Sequence, residues 1–125
     1  MKLVDLSPGD LTSLMPMEKI VESLDDNAEG AIDMAAWESV VAQVNERLVA
    51  LCGSADAVRD RAPRYAAKVF AAQTLYVRRG FAGQDNPITA LANAQERALA
   101  GNVSGGAVVQ EQTAFGMGGS RRVVS

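Results

Sequence analysis

At 125 residues, with 48% hydrophobic but only 5% aromatic residues, the chain has material for one domain with a modest core rich in alanine and valine, and not for two. It has no histidine and one cysteine, Cys52, which excludes an intramolecular disulfide, Ser-His and Cys-His nucleophile pairs and histidine-containing zinc sites, and argues against an enzyme. The net charge is −3, no apolar run approaches the ~20 residues that span a bilayer, and Met1-Lys2-Leu3-Val4-Asp5 lacks the apolar stretch of a secretory signal. These features lead us to expect a cytoplasmic chain with no membrane contact, in which Cys52 is a small core residue in a reducing compartment.

Ser7-Pro8-Gly9-Asp10 reads as a helix start, with Ser7 at the cap and Pro8 in the first turn. Leu11, Leu14, Met15, Ile20, Val21 and Leu24 then recur at helical spacing. Pro16 interrupts the run, which predicts a short helix in two pieces. Residues 25–31 are polar and form a loop. Asp33 caps the next helix, and Ile32 before the cap is placed to staple onto Trp37. Met34, Trp37, Val40, Val41, Val44, Leu48 and Leu51 share one face of this helix, opposite Glu38, Ser39, Gln43, Glu46 and Arg47, and Gly53 stops it.

A short turn or half-helix is expected over residues 54–61, after which Pro63 opens a second long helix. Its inner face reads Tyr65, Ala66, Val69, Phe70, Gln73, Tyr76 and Val77, and Gly80 ends it. Asn86-Pro87 starts a final helix that carries Ile88, Leu91, Ala92 and Leu99 and runs to about Ala100, with Gly101 as terminator. The fold class expected is therefore all-α: a small bundle of about four helices over residues 1–101, followed by an extended glycine-rich C-terminal arm over residues 102–125. In the arm, glycines bracket the pair Val108-Val109, and Arg121-Arg122-Val123-Val124 closes the sequence. By composition the arm is either disordered or a strand that docks on a neighbouring subunit.

Charge is segregated. Residues 1–57 hold eleven acids against Lys2, Lys19 and Arg47, whereas residues 58–79 hold Arg59, Arg61, Arg64, Lys68, Arg78 and Arg79 against Asp60 alone. On a helical wheel Arg64, Lys68, Arg78 and Arg79 fall within about 100° of one another, with Leu75 in their midst. Such a stripe can be a solvated helix face, a nucleic-acid track, or a contact with the acidic half of another copy. It contains no aromatic residue for base stacking, and an exposed leucine among cations suits a protein contact better than a phosphate track. Residues 25–33 also resemble the start of a calcium loop, with oxygens at Asp25, Asn27, Glu29 and Asp33, the turn glycine at Gly30 and the apolar Ile32. The twelfth position is Ala36 instead of the bidentate glutamate, so the segment reads as an acidic turn leading into the Asp33 cap. No cofactor or metal is expected.

One resemblance covers about residues 10–102. The acidic stretch Leu24-Asp25-Asp26 with Gly30-Ala31-Ile32-Asp33 opens a long helix. A second helix ends Leu75-Tyr76-Val77-Arg78-Arg79-Gly80, and an Asn86-Pro87 start leads to an alanine-rich helix and a glycine-rich tail containing Ser120-Arg121-Arg122. This order resembles the small head–tail connector, or head-completion, proteins of tailed bacteriophages, including the phage Mu-type small virion protein family. The segment Arg59-Asp60-Arg61-Ala62-Pro63 is more basic than that pattern. The resemblance implies a structural virion protein, made in the host bacterial cytoplasm and resident at the head–tail junction. It would form a homo-oligomeric ring, often about twelve-fold, beneath the portal protein and extend the channel through which genomic DNA passes without sequence-specific binding. It would also offer a platform to the stopper or tail-terminator protein. The residues expected at subunit or partner interfaces are Arg61, Arg64, Lys68, Leu75, Arg78, Arg79, Val108, Val109, Arg121 and Arg122. The alternative reading is a small helical regulatory or adaptor protein that binds nucleic acid or one protein partner through the basic helix.

Overall fold

A computed structural model describes residues 3–105, the side chains of 102–105 excepted, and all regular structure among them is helical. The chain enters through a 3-10 helix at Pro8–Ser13. The Asp10 carboxylate reaches back to accept the Ser7 backbone N–H at 2.8 Å and the Ser7 hydroxyl at 3.2 Å, which fixes the first turn. Pro16 then separates this element from α1 (Met17–Leu24), as the two-piece reading requires. Leu11, Met15, Ile20 and Leu24 line one side of this N-terminal segment and are buried, together with Val4 and Leu6.

Helix α2 (Met34–Cys52) begins where Asp33 accepts the Ala35 N–H at 3.0 Å and ends at Gly53, whose φ of +100° only glycine adopts readily. Trp37, Val40, Val41, Val44 and Leu48 are buried on it, and Ile32 packs half-buried against the core. Met34, at the helix start, is 54% exposed, because the first turn overhangs the core. Cys52 is buried, as a small core residue would be. Asn45 is also buried, and its Oδ1 has no hydrogen-bond partner, which marks a weak point in the core.

Ser54 caps α3 (Ala55–Arg61) by accepting the Ala57 N–H at 3.1 Å. The helix stops at Ala62, an alanine in the left-handed region at φ +44°. Helix α4 (Arg64–Arg78) follows and occupies the centre of the molecule, in contact with α1, α2, the N-terminal 3-10 helix and the last helix, α5 (Thr89–Gly105). Four alanines on α4 (Ala66, Ala67, Ala71 and Ala72) are buried, which lets its neighbours approach closely, while Val69, Phe70 and Leu75 fill the spaces between them. These seven buried positions run right round the helix at 100° per residue. Burial on α4 therefore depends on position along the axis: the middle is enclosed and the ends are open. Tyr65 and Val77, expected on an inner face, are about half exposed for this reason.

The C-terminus of α4 is closed by a left-handed glycine. Gly80, at φ +95°, donates its N–H to the Val77 carbonyl, and the Phe81 N–H reaches the Tyr76 carbonyl at 3.0 Å. The Phe81 ring then stands edge-on to Tyr76 at 6.2 Å, the apolar contact that commonly accompanies such a cap. A 3-10 turn at Gly83–Asp85 leads to Asn86, which is buried and works in both directions. Its Oδ1 accepts the Ile88 N–H at 2.9 Å, and its Nδ2 donates to the Gln73 carbonyl at 3.0 Å. The expected entry to α5 at Asn86-Pro87 is thus a tether to α4 as well as a helix start. The expected stop at Gly101 does not occur, and α5 runs to Gly105. Gly101 is exposed with open space around it, so its presence weakens the helix by only about 1 kcal/mol relative to alanine.

Candidate interaction faces

The basic stripe on α4 is not a free surface. Arg64 donates to the Asp5 carbonyl and, at 3.2 Å, to the Asp10 carboxylate of the N-terminal segment. Near the other end of α4, Arg78 donates through Nε to the Ser23 carbonyl at 2.8 Å and through its guanidinium tip to Asp26. Arg79, the next residue, pairs with Glu22 at 2.9 Å and lies 5.4 Å over the Phe81 ring. Lys68, between these anchors, adds its field to that of Arg64 at Asp10. The acidic N-terminal segment thus lies along the basic stripe and is fastened at both of its ends.

Leu75 sits in the middle of this arrangement and is fully buried. This corrects the expectation of an exposed leucine among cations. A wheel drawn for α4 alone shows a stripe facing solvent, but the chain's own segment covers it. Complementary charge at the rim and apolar contact beneath it are the usual anatomy of a protein interface, here formed within one chain. Arg64, Arg78 and Arg79 therefore serve the fold, and Arg78 in addition satisfies one of the last carbonyls of α1.

Arg61 is likewise engaged inside the molecule. Its guanidinium donates to the Leu99 carbonyl on α5 at 3.1 Å and lies 3.7 Å from the Cys52 sulfur, so it links α3 to α5 over the end of α2. Val108, Val109, Arg121 and Arg122 lie outside the described residues.

Periodicity assigned Arg47 to the solvent side of α2, and the structure gives it a different position. Its guanidinium carbon stacks 4.0 Å from the centroid of the Phe70 ring on α4. The same group donates to Gln73 at 2.7 Å and, through two nitrogens, to Glu96 of α5 at 2.8 and 3.2 Å. One side chain therefore joins all three long helices. The only hint in the sequence is that Arg47 is the one cation on α2, which otherwise carries the acids Glu38 and Glu46.

In the turn that resembles a calcium loop, the Asp25 and Asp33 oxygens are engaged by backbone and capping. Both Asp25 oxygens accept backbone N–H groups, of Glu29 and Gly30, each at 2.8 Å. Asp33 caps α2 and receives Asn27 at 3.4 Å, while Asp26 is held by Arg78. Among the described residues no cluster of three or more acidic or cysteine side chains is placed to hold a metal ion. A shallow cleft of about 390 Å³ opens where the Gly83–Asp85 turn meets α5, lined by neutral groups including Gln84, Thr89 and Asn93. No helix among the described residues is long and apolar enough to cross a membrane.

The surroundings of Asp10 shift its carboxyl group. The Ser7 backbone N–H lowers its pKa below the ordinary 3.8, partial loss of hydration opposes this, and the Ser7 hydroxyl, Arg64 and Lys68 lower it further. Compared with known protein families, curated proteins and solved structures, the chain matches none.

Proposed function

We propose that the chain is a structural assembly subunit, a head–tail connector or adaptor of a tailed bacteriophage that forms a ring against the portal protein and receives the stopper or tail terminator. The observation that supports this reading is the order of elements. An acidic turn leads into a capped long helix, a basic helix closes on Arg78-Arg79-Gly80, and a tethered Asn86-Pro87 start leads to a last helix and a glycine-rich arm. In this reading the residues that follow α5, from 106 to 125, form the extended arm that locks one subunit to the next, through Val108, Val109, Arg121 and Arg122. The internal engagement of Arg64, Arg78 and Arg79 moves the ring contact away from the basic stripe, which also weighs against that stripe as a track for nucleic acid.

The test is quantitative mass spectrometry of phage particles purified from the source of this chain. A ratio near one chain per portal subunit is the expected outcome, with the chain at the head–tail junction. Its absence from particles that contain portal would overturn the proposal.

A further inference from the structure

We propose that residues 3–24 form an exchangeable element, seated here on α4 of their own chain and able to seat in the same way on α4 of a second copy. Four observations carry this. First, among the described residues the segment's long-range polar links go to α4 and the residue that caps it: Arg64 holds Asp5 and Asp10, Arg78 holds the Ser23 carbonyl, and Arg79 holds Glu22. Second, the segment contributes a continuous apolar side, Leu11, Met15, Ile20 and Leu24, all buried. Lifting it off would expose that side and Leu75 together, so an open monomer is strongly disfavoured. Only a surface with the same pattern of apolar centre and basic rim restores what is lost, and a second copy carries that surface.

Third, the connection to α2 is built to open without disturbing the body. Residues 26–31 are exposed, and the turn's hydrogen bonds run among residues 24–33, from the Asp33 N–H to the Leu24 carbonyl and from Glu29 and Gly30 to Asp25. Among the described residues, the polar link of residues 26–31 to the body, Asp26 to Arg78, joins the same two surfaces that exchange would re-form, while Ile32 and the capping Asp33 stay with α2. Fourth, nine residues drawn out span at most about 30 Å, enough to bridge two adjacent copies. Exchange replaces each intrachain contact by an identical interchain one, so concentration and hinge length set the balance between the two arrangements. The inference concerns self-association and stands apart from the phage reading.

Charge reversal across the pair Glu22 and Arg79 tests it. Glu22→Arg alone and Arg79→Glu alone each set like charges against one another within a chain, and only exchange between the two variants pairs opposite charges at both sites. Refolded together from urea, the two variants are expected to give a one-to-one dimer by light scattering, melting about 5 °C above either variant alone. The cis double variant should remain a monomer with the wild-type melting temperature. Two monomers that melt as they do separately would overturn the proposal. A further variant lacks residues 27–30, so that the chain cannot fold back. It is expected to form dimers or larger closed assemblies with unchanged helix content, and a folded monomer, or loss of helix content without association, would count equally against exchange.

Discussion

Two groups of arginines hold this molecule together, and they do so in different surroundings. Arg64, Arg78 and Arg79 stand at the rim of the contact between α4 and the N-terminal segment, and their acidic partners Asp10, Asp26 and Glu22 are 30%, 49% and 54% exposed. Arg47 lies flat on Phe70 between three helices, with Gln73 and Glu96 completing its hydrogen bonds. The rim carboxylates stand open to water, so each of these ion pairs contributes roughly 0–1 kcal/mol and salt weakens it. Arg47 is no more buried than Arg78, each 29% exposed, but it lies at 4.0 Å on the Phe70 ring, closer than Arg79 over Phe81 at 5.4 Å. There stacking and charged hydrogen bonds add to each other. The position of an arginine relative to apolar surface therefore decides its contribution, more than the number of acids near it.

The largest effect is expected between the rim charges and not at them. Leu75→Ala leaves the arginines in place and empties the centre of the contact they surround. A loss of about 2–5 kcal/mol in chemical denaturation is expected. A loss below roughly 0.5 kcal/mol, the range of surface substitutions, would mean that the N-terminal segment does not cover this face.

Next comes Arg47→Ala, with an expected loss of about 1–3 kcal/mol from stacking and the shared hydrogen bonds. Arg47→Lys should recover little, because an ammonium can neither lie on Phe70 as a plane nor donate to Gln73 and Glu96 in a fork. The loss should persist in 1 M salt. If salt abolishes it, Arg47 belongs with the rim group and the distinction between the two groups fails. For the rim, a double-mutant cycle on Arg79 and Glu22 should give a coupling of roughly 0.2–1 kcal/mol that fades with added salt.

The contrast also explains which features were legible in the sequence. Helix starts and stops depend on neighbours in sequence, so Pro16, Asp33, Gly53 and Gly80 act where spacing placed them. The segregation of charge was equally plain, but charge carries no address: the acidic half could have met the basic helix of another copy or of its own chain. Leu75 and Arg47 were misassigned for a common reason. A helical wheel sorts residues into one inside and one outside, which holds for a helix on the surface of a bundle. Helix α4 is central and carries buried residues on every side between Ala66 and Leu75, so Leu75 is covered. Arg47 fails from the opposite side, because a long side chain at the edge of the apolar face can lie back over it. The body was thus legible as elements, while the interface within it depended on a packing order that periodicity does not encode.

The smallest expected effect concerns Asp10, and it separates local geometry from charge pairing. The Ser7 backbone N–H is the largest influence on its carboxylate, ahead of the Ser7 hydroxyl, Arg64 and Lys68. Because the folded-state pKa lies below the unfolded value, the unfolded chain binds more protons in the interval between them, and stability rises with pH there. The contribution is fully present above the unfolded value and is lost as pH falls through the lower folded one, a window that opens at the ordinary carboxylate value and extends below it. Asp10→Asn should therefore narrow its gap to wild type as the pH is lowered through that window. Arg64→Ala, and Ser7→Ala, which removes the hydroxyl but keeps the N–H, should each leave most of the shift in place when Asp10 is titrated by NMR. Return of Asp10 to an ordinary pKa in Arg64→Ala would make it a member of the ionic rim first and a turn-closing residue second. Persistence of the shift would show that the 3-10 turn fixes this carboxylate by itself and then presents it, already ionised, to α4.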